Sequence, residues 1–275
     1  MASFKTDFAQ LPGLKMHYAR AGKGANNVLF VHGYSSTWQV WSRVMKNLPK
    51  DFGAIALDVR GSGDSDKPET GHTIEQMSED VYQFTQALDL KDFTMVGHSM
   101  GGVITMKFAL EHPELLKSIV MVNPAPADGL EMPAEEMQQS MSIFKSGDRE
   151  VIAELWRTLG FASDAQMEQA IVDEMVEDVL KASEPFLDQA MADMGSLRIG
   201  DRLSEIDLPA LMIHGDRDNG VPLTESIKSF ELISGCSLQV FYGCGHYPQL
   251  EIQEDFTRLL ISFVRNPRRR IEEAG

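Results

Sequence analysis

Val96-Gly97-His98-Ser99-Met100-Gly101-Gly102 is the stretch that decides how this chain is read. An apolar run from Asp92 to Val96 precedes it, and a helix-compatible run from about Met100 to Glu111 follows. Gly-x-Ser-x-Gly between a strand and a helix is a nucleophile elbow. The turn forces Ser99 into a strained backbone conformation that lifts its hydroxyl above the sheet. Gly97 and Gly101 stand where a Cβ would collide with the neighbouring strand or helix. The Met100 N–H opens the helix and points at any negative oxygen formed beside Ser99. A chance glycine-serine turn is the competing reading, and the strand-helix placement favours the nucleophile.

Outward from this stretch, apolar runs and helical stripes alternate. Leu14 to Arg20 alternates like a half-exposed strand. Asn27 to Val31 is a continuous apolar run closed by His32-Gly33, as suits a buried parallel strand. Trp38, Trp41, Val44, Met45 and Leu48 fall at helical spacing before Pro49, which makes them helix residues packed on the sheet. Gly53 to Val59 is the next strand, and Thr73 with Gln76 reads as a capping box for a helix carrying Met77, Val81, Phe84 and Leu88. Leu116 to Val122 is a further buried strand. The alternation resumes at Pro209 to Gly215, with a helix from Pro222 to Ile233, a strand from Ser237 to Phe241 and a last helix from about Ile252 to Val264. This order predicts an α/β, doubly wound, mostly parallel sheet with helices on both faces. Chemistry in such sheets sits at the carboxyl ends of the strands.

Between Pro124 and about Asp207 strand-like runs disappear. Helical stripes such as Met137, Met141 and Phe144, or Ile171, Met175, Val176 and Val179, replace them. The expected division is therefore a first core part at 1–124, a helical insertion at 125–205 and a second core part at 206–275. The segment Arg268-Arg269-Arg270 with Ile271-Glu272-Glu273 reads as a frayed, solvated tail.

The net charge of −16 argues against nucleic acid and anionic membranes as partners. Cys236 and Cys244 are too few for a disulfide framework, and no Cys/His cluster has zinc spacing. They flank a short strand and read as free thiols. The first residues lack the apolar stretch of a signal peptide, and no apolar run is long enough to cross a bilayer. The expectation is a cytoplasmic protein, monomeric or homodimeric, acting on a small molecule.

A serine hydroxyl needs a base, and the base needs an orienting acid. His246, in Gly243-Cys244-Gly245-His246-Tyr247-Pro248, follows the last strand and is the candidate base. The loop after the preceding strand, Gly215-Asp216-Arg217-Asp218-Asn219-Gly220, offers two acids. Asp218, deeper in the loop, is the candidate orienter. Asp216 reads as an Asx-turn residue that fixes the loop. An acid one strand earlier is the competing arrangement, but Asn123 holds that place and does not ionise.

The order Ser99, Asp218, His246, with Gly97-His98-Ser99-Met100-Gly101-Gly102, resembles the α/β-hydrolase fold superfamily over residues from about 14 to 124 and 206 to 265. Val31-His32-Gly33-Tyr34 resembles its oxyanion loop. The resemblance implies that Tyr34 and Met100 donate backbone N–H groups to the substrate. Asp58-Val59-Arg60-Gly61-Ser62-Gly63-Asp64-Ser65 resembles a largely structural loop of the superfamily. The insertion at 125–205 is implied to be a lid, and no metal or organic cofactor is implied.

The implied chemistry is acyl transfer through Ser99 on an ester or lactone, each oxyanion donor contributing about 3 kcal/mol at the transition state. The nucleophile is Ser rather than Asp, which disfavours the haloalkane dehalogenase and epoxide hydrolase branches. His98 before the serine and Tyr247 after the base depart from the ring-cleavage C–C hydrolase pattern, which remains the alternative. Tyr34-Ser35-Ser36 does not match metal-free haloperoxidases. A lactone-binding receptor of the same fold is a second alternative, whereas a scaffold homologue predicts a broken triad. Met137, Met141, Phe144, Trp156, Phe161, Met191 and Met194 are either the roof of an apolar pocket or the insertion's own core.

Overall fold

A computed structural model describes residues 4–129, 134–162, 165 and 167–268. The Met137 side chain and the tail from Arg269 to Glu273 lie outside the described residues. Among these, eight strands form one sheet: β1 (Lys5–Leu11), β2 (Leu14–Gly22), β3 (Asn26–Val31), β4 (Phe52–Leu57), β5 (Phe93–His98), β6 (Leu116–Val122), β7 (Ala210–Gly215) and β8 (Cys236–Phe241). Their order is β1-β2-β4-β3-β5-β6-β7-β8. The pairs from β4 to β8 are parallel, and only β1–β2 and β2–β4 are antiparallel. The doubly wound, mostly parallel sheet expected from the sequence is therefore present.

The helices are α1 (Ser42–Asn47), α2 (Ile74–Ala87), α3 (Met100–Glu111), α4 (Ala134–Ser146), α5 (Arg149–Leu155), α6 (Gln169–Leu180), α7 (Glu184–Ser196), α8 (Leu223–Leu232), α9 (Pro248–Glu251) and α10 (Gln253–Arg265). The four from α4 to α7 occupy the connection between β6 and β7. No helix among the described residues is long and apolar enough to cross a membrane.

The core follows from the pattern. Strand β5 is buried at every position, as a central parallel strand covered on both faces must be. Helix α3, buried from Met100 to Ala109, packs against β5, β6 and α2. Trp41 is fully buried with its ring 4.9 Å from that of Phe30, so it does pack on the sheet. Trp38 stays half-buried at the edge, 5.0 Å from Phe4. Strand β1 is an element the sequence reading lacked. It is a hairpin partner of β2 whose first four residues are exposed, so no apolar alternation marks it. Only half of the capping box forms. The Gln76 N–H donates to Thr73 Oγ1, but the Gln76 side chain turns to Asp80 instead. Cys236 and Cys244 are both buried and do not form a disulfide with each other.

One polar contact ties α6 to the sheet layer. Thr37 Oγ1 donates to Asp178 Oδ1 at 2.7 Å. Burial pushes the Asp178 carboxyl up to about 7, aided by Asp58 and opposed by the Thr37 bond and Lys181. An unfolded aspartate titrates near 4. The fold therefore prefers the protonated form, and this group loses stability for the protein as pH rises from about 4 to 7. Asp178→Asn has no such loss. Its melting temperature relative to the unmodified protein should rise by about 5 °C between pH 5 and pH 8. A gap that stays constant across that range in a thermal melt would contradict the assignment.

Candidate active site

Ser99 is the pivot between β5 and α3, with φ 52° and ψ −117°. Its N–H donates to Val122 O at 2.9 Å, and its carbonyl accepts from Gly102 at 2.9 Å and Ala125 at 3.0 Å. These bonds hold a conformation that an L-residue rarely adopts. The turn closes only because its flanks lack side chains. A Cβ on Gly97 would lie 1.9 Å from Gly101 O, and one on Gly101 would lie 2.4 Å from Val31 O. The Ser99 side chain does not cap α3, which leaves its hydroxyl to the cavity above the sheet.

His246 borders the same cavity. Its Nδ1 donates to Asp218 Oδ2 at 2.6 Å. Asp218 is buried, and burial alone would raise its pKa. His246, the Val221 N–H and Asn123 outweigh that penalty and hold the carboxyl down at about 2. Its other oxygen, Oδ1, accepts from the amides of Gly220 at 2.8 Å and Val221 at 2.9 Å. The Asx-turn expected of Asp216 is thus made by Asp218 itself. Asp216 instead accepts from the Gly243 amide at 2.6 Å, pinning the acid loop to the loop after β8. Asp216 stands just past β7, where its own N–H bonds Phe241 O of β8 at 3.1 Å, so its carboxylate meets the loop after β8.

Asn123, the non-ionisable occupant of the competing acid position, belongs to the site in another way. Its Nδ2 donates to Asp218 Oδ2 at 2.7 Å and to Gly245 O at 3.3 Å. The two oxyanion candidates flank Ser99. Met100 is the first residue of α3, so its N–H has no partner within the helix. An ideal Cβ on Gly33 would lie 3.0 Å from Ser99 Cβ, which places the Gly33–Tyr34 peptide against the serine. His32 fixes that peptide. Its Nδ1 donates to Gly33 O at 2.7 Å while its Nε2 accepts from the Val59 amide at 3.0 Å.

The cavity, about 110 Å³, is walled by Tyr34, Phe144, Trp156, Met191, Met194 and Tyr247 as well as by the polar pair. Four of the candidate roof residues therefore line it. Phe161 packs beside Tyr247 instead, and Met141 is half-buried in the apolar core. His17, Asp58 and Asp64 form one cluster with metal-like spacing. Asp58 is already engaged there by His17 Nδ1 and the amides of Trp38 and Asp64, so the cluster braces its loop.

The family profile described as the alpha/beta hydrolase fold matches residues 26–170. This chain belongs to that family. Among relatives, a 2-hydroxy-6-oxononadienedioate/2-hydroxy-6-oxononatrienedioate hydrolase of Paraburkholderia xenovorans is 26% identical, the match covering 91% of each chain. Monoacylglycerol lipase abhd6-B of Xenopus laevis is 27% identical over 91% of this chain and 79% of its own. The solved structure of Est816, described as an N-acyl homoserine lactone degrading enzyme, superposes with a TM-score of 0.81 at 27% identity, covering 94% of this chain and all of that one (100%).

Several residues of this alpha/beta hydrolase's site escaped the sequence reading. His98, fully buried, donates from Nε2 to the His246 carbonyl at 2.8 Å. Glu251 accepts from the amides of Gly245 (3.0 Å), Tyr247 (3.3 Å) and Ala162 (3.0 Å). His214 donates from Nε2 to Val221 O at 3.1 Å and pairs through Nδ1 with Ser226 Oγ at 2.8 Å. Each acts on backbone groups, and a motif of side chains carries no signal for that. Asn123 could have been found, since its place at the end of β6 was already marked.

The Asn123–Asp218 contact makes a test that needs no substrate. Asn123→Asp sets a second carboxylate against Asp218 Oδ2 and Gly245 O. One of the two carboxylates must then hold a raised pKa. The variant should melt several degrees below the unmodified protein at pH 8, and the deficit should shrink as pH falls towards 5. A deficit that is independent of pH would mean that the contact is not formed in solution.

Proposed function

We propose that the protein is a serine hydrolase that cleaves a carboxylic ester or lactone with a small, uncharged acyl group through an acyl-enzyme on Ser99. The lining of the cavity carries this reading. Ser99 and His246 open onto walls of Tyr34, Phe144, Trp156, Met191 and Met194, and no lysine or arginine lines the cavity among the described residues. A dioate such as the one in the name of the Paraburkholderia relative brings carboxylates that would be desolvated here without a cation. An ester carbonyl asks only for hydrogen-bond donors.

In the proposed cycle His246 takes the Ser99 proton as Oγ attacks the carbonyl. The oxyanion is met by the amides of Tyr34 and Met100. His246 then gives its proton to the leaving alkoxide. Water, deprotonated by His246, attacks the acyl-enzyme, and the carboxylic acid leaves as Oγ is reprotonated. Asp218, with its pKa at about 2, stays ionised throughout and faces the imidazolium that forms. The cavity of about 110 Å³ is smaller than the roughly 150 Å³ hole that accepts benzene in an engineered core. The acyl group should therefore be short.

Hydrolysis of p-nitrophenyl esters from acetate to decanoate tests this directly. Rates should peak between acetate and butyrate, and Ser99→Ala should lower kcat by about 10⁴-fold or more. The similarity to C–C hydrolases gives the competing outcome. Cleavage of ring-fission dienoates, with every ester left intact, would replace the ester reading with that one.

A further inference from the structure

The two edges of the sheet differ in kind. Strand β8 is last in the order and pairs with β7, so its outer edge is open among the described residues. An open edge presents backbone N–H and C=O groups that can template another strand, and proteins guard such edges with charges, prolines or bulges. The opposite edge strand, β1, carries exposed Lys5 and Asp7. On β8 these guards are missing. Cys236-Ser237-Leu238-Gln239-Val240-Phe241 has no charge and no proline, and its register with β7 has no bulge. The uncharged stretch reaches well beyond the strand. No Asp, Glu, Lys or Arg occurs from Leu232 to Leu250, in a chain whose net charge is −16. Leu232, 43% exposed, and Tyr242, 86% exposed, lie on either side of β8 in this stretch. We propose that the outer edge of β8 pairs antiparallel with β8 of a second copy of this chain, giving a twofold dimer with one continuous sheet. The proposal is independent of the ester-hydrolase reading.

Charge and symmetry choose the occupant. Two copies that each carry −16 repel, and contact is least opposed where neither presents a charge. An edge paired antiparallel with itself is self-complementary about a twofold axis, so a second copy needs no further feature to match it. An acidic or basic peptide would find no countercharge along this stretch.

The hydrogen bonds of β8 fix the register. The Phe241 carbonyl points towards β7, where it accepts from the Asp216 amide at 3.1 Å. Successive residues of a strand direct their backbone groups to opposite edges, so Leu238 and Val240 face outwards. The Val240 carbonyl accepts from Nε2 of the neighbouring Gln239 at 2.9 Å and keeps a second lone pair. The Cys236 N–H, on the same edge, already donates to Ile233 O at 3.2 Å, and the chain turns at Tyr242. Leu238 and Val240 are therefore the residues offered to a partner strand. Setting Leu238 opposite Val240 of the second copy lets the two exchange N–H···O bonds in both directions, and it brings the axis through Gln239. The two Gln239 side chains then face each other, and each Tyr242 stands opposite the start of the other copy's β8.

A residue on the axis meets its own copy, and that gives the test. Sedimentation velocity of the full chain at pH 8, over a dilution series, should show a species of twice the chain mass. Gln239→Glu and Gln239→Lys, at a position only half-buried, each set two like charges against each other. Each should weaken self-association by about tenfold or more. Mixed in equal amounts, the two variants should recover the dimer, because the axis then holds one carboxylate and one ammonium. Recovery requires both variants to be folded, and far-UV circular dichroism matching that of the unmodified protein checks this for each alone. An unmodified protein that stays monomeric at every concentration would overturn the proposal and leave the edge to a strand from another protein. Self-association unmoved by either substitution, or natively folded variants that fail to pair when mixed, would overturn it as well.

Discussion

The close approach of β5 to α3 at Ser99 is the constraint on which the site depends. A residue held at φ 52° and ψ −117° stores strain on the order of 1–3 kcal/mol. It persists because both of its backbone polar groups are bonded, the N–H to β6 and the carbonyl to Gly102 and Ala125. The approach is tight enough that Thr105 Oγ1, one turn into α3, bonds the Gly101 carbonyl at 2.9 Å. The same tightness places the chain just past β3 against the serine, since a Cβ on Gly33 would crowd both His98 and Ser99 at 3.0 Å. The candidate nucleophile and its candidate oxyanion peptide are therefore positioned by one packing event.

A second physical device recurs around that centre. His32, His98 and His214 are each fully buried, and burial lowers the pKa of each. A neutral imidazole donates at one nitrogen and accepts at the other, which suits a loop whose carbonyl must be held in a dry place. His32 holds Gly33, His98 holds His246, and His214 holds Val221. The candidate oxyanion, base and acid loops are thus each fastened at a carbonyl by a histidine at or just beyond the end of a parallel strand. His98 Nδ1 has no partner among the described residues, a cost of about 1–3 kcal/mol that the base loop's position offsets.

How much of this was legible follows from the kind of signal each part leaves. Buried parallel strands write continuous apolar runs, and Asn27 to Val31 and Leu116 to Val122 were readable to within a residue. The elbow was readable because sterics demand glycine at 97 and 101. Asp218 and His246 were readable because strand ends confine them. Strand β1 was not, because a mostly exposed edge strand has no apolar face to show. Asp216 was misread because an Asx turn and a bond to a neighbouring loop ask for the same side chain. Glu251, and the part played by His98, were invisible for a different reason. They bind backbone amides and carbonyls of distant loops, and only the folded register brings those groups within reach.

The helical segment at 125–205 was expected as a separate lid, and its contacts bear on how a substrate enters. The turn Trp156–Gly160 has the wide i→i+5 form often found where function intrudes on a helix. Its carbonyls are not free. The Gly160 carbonyl accepts from the His246 amide at 3.1 Å, and that of Thr158 accepts from Asn219 Nδ2 at 3.1 Å. Ala162, just beyond, donates to Glu251, which also holds the base loop. Lifting this turn as part of a lid would break two hydrogen bonds to the loops that carry His246 and Asp218, and would pull on the Ala162–Glu251 bond just beyond it. It would disturb the acid-base pair at the moment of access. The turn Trp156–Gly160 is thus tied to the loops that carry His246 and Asp218, and any movement of the turn would move those loops with it.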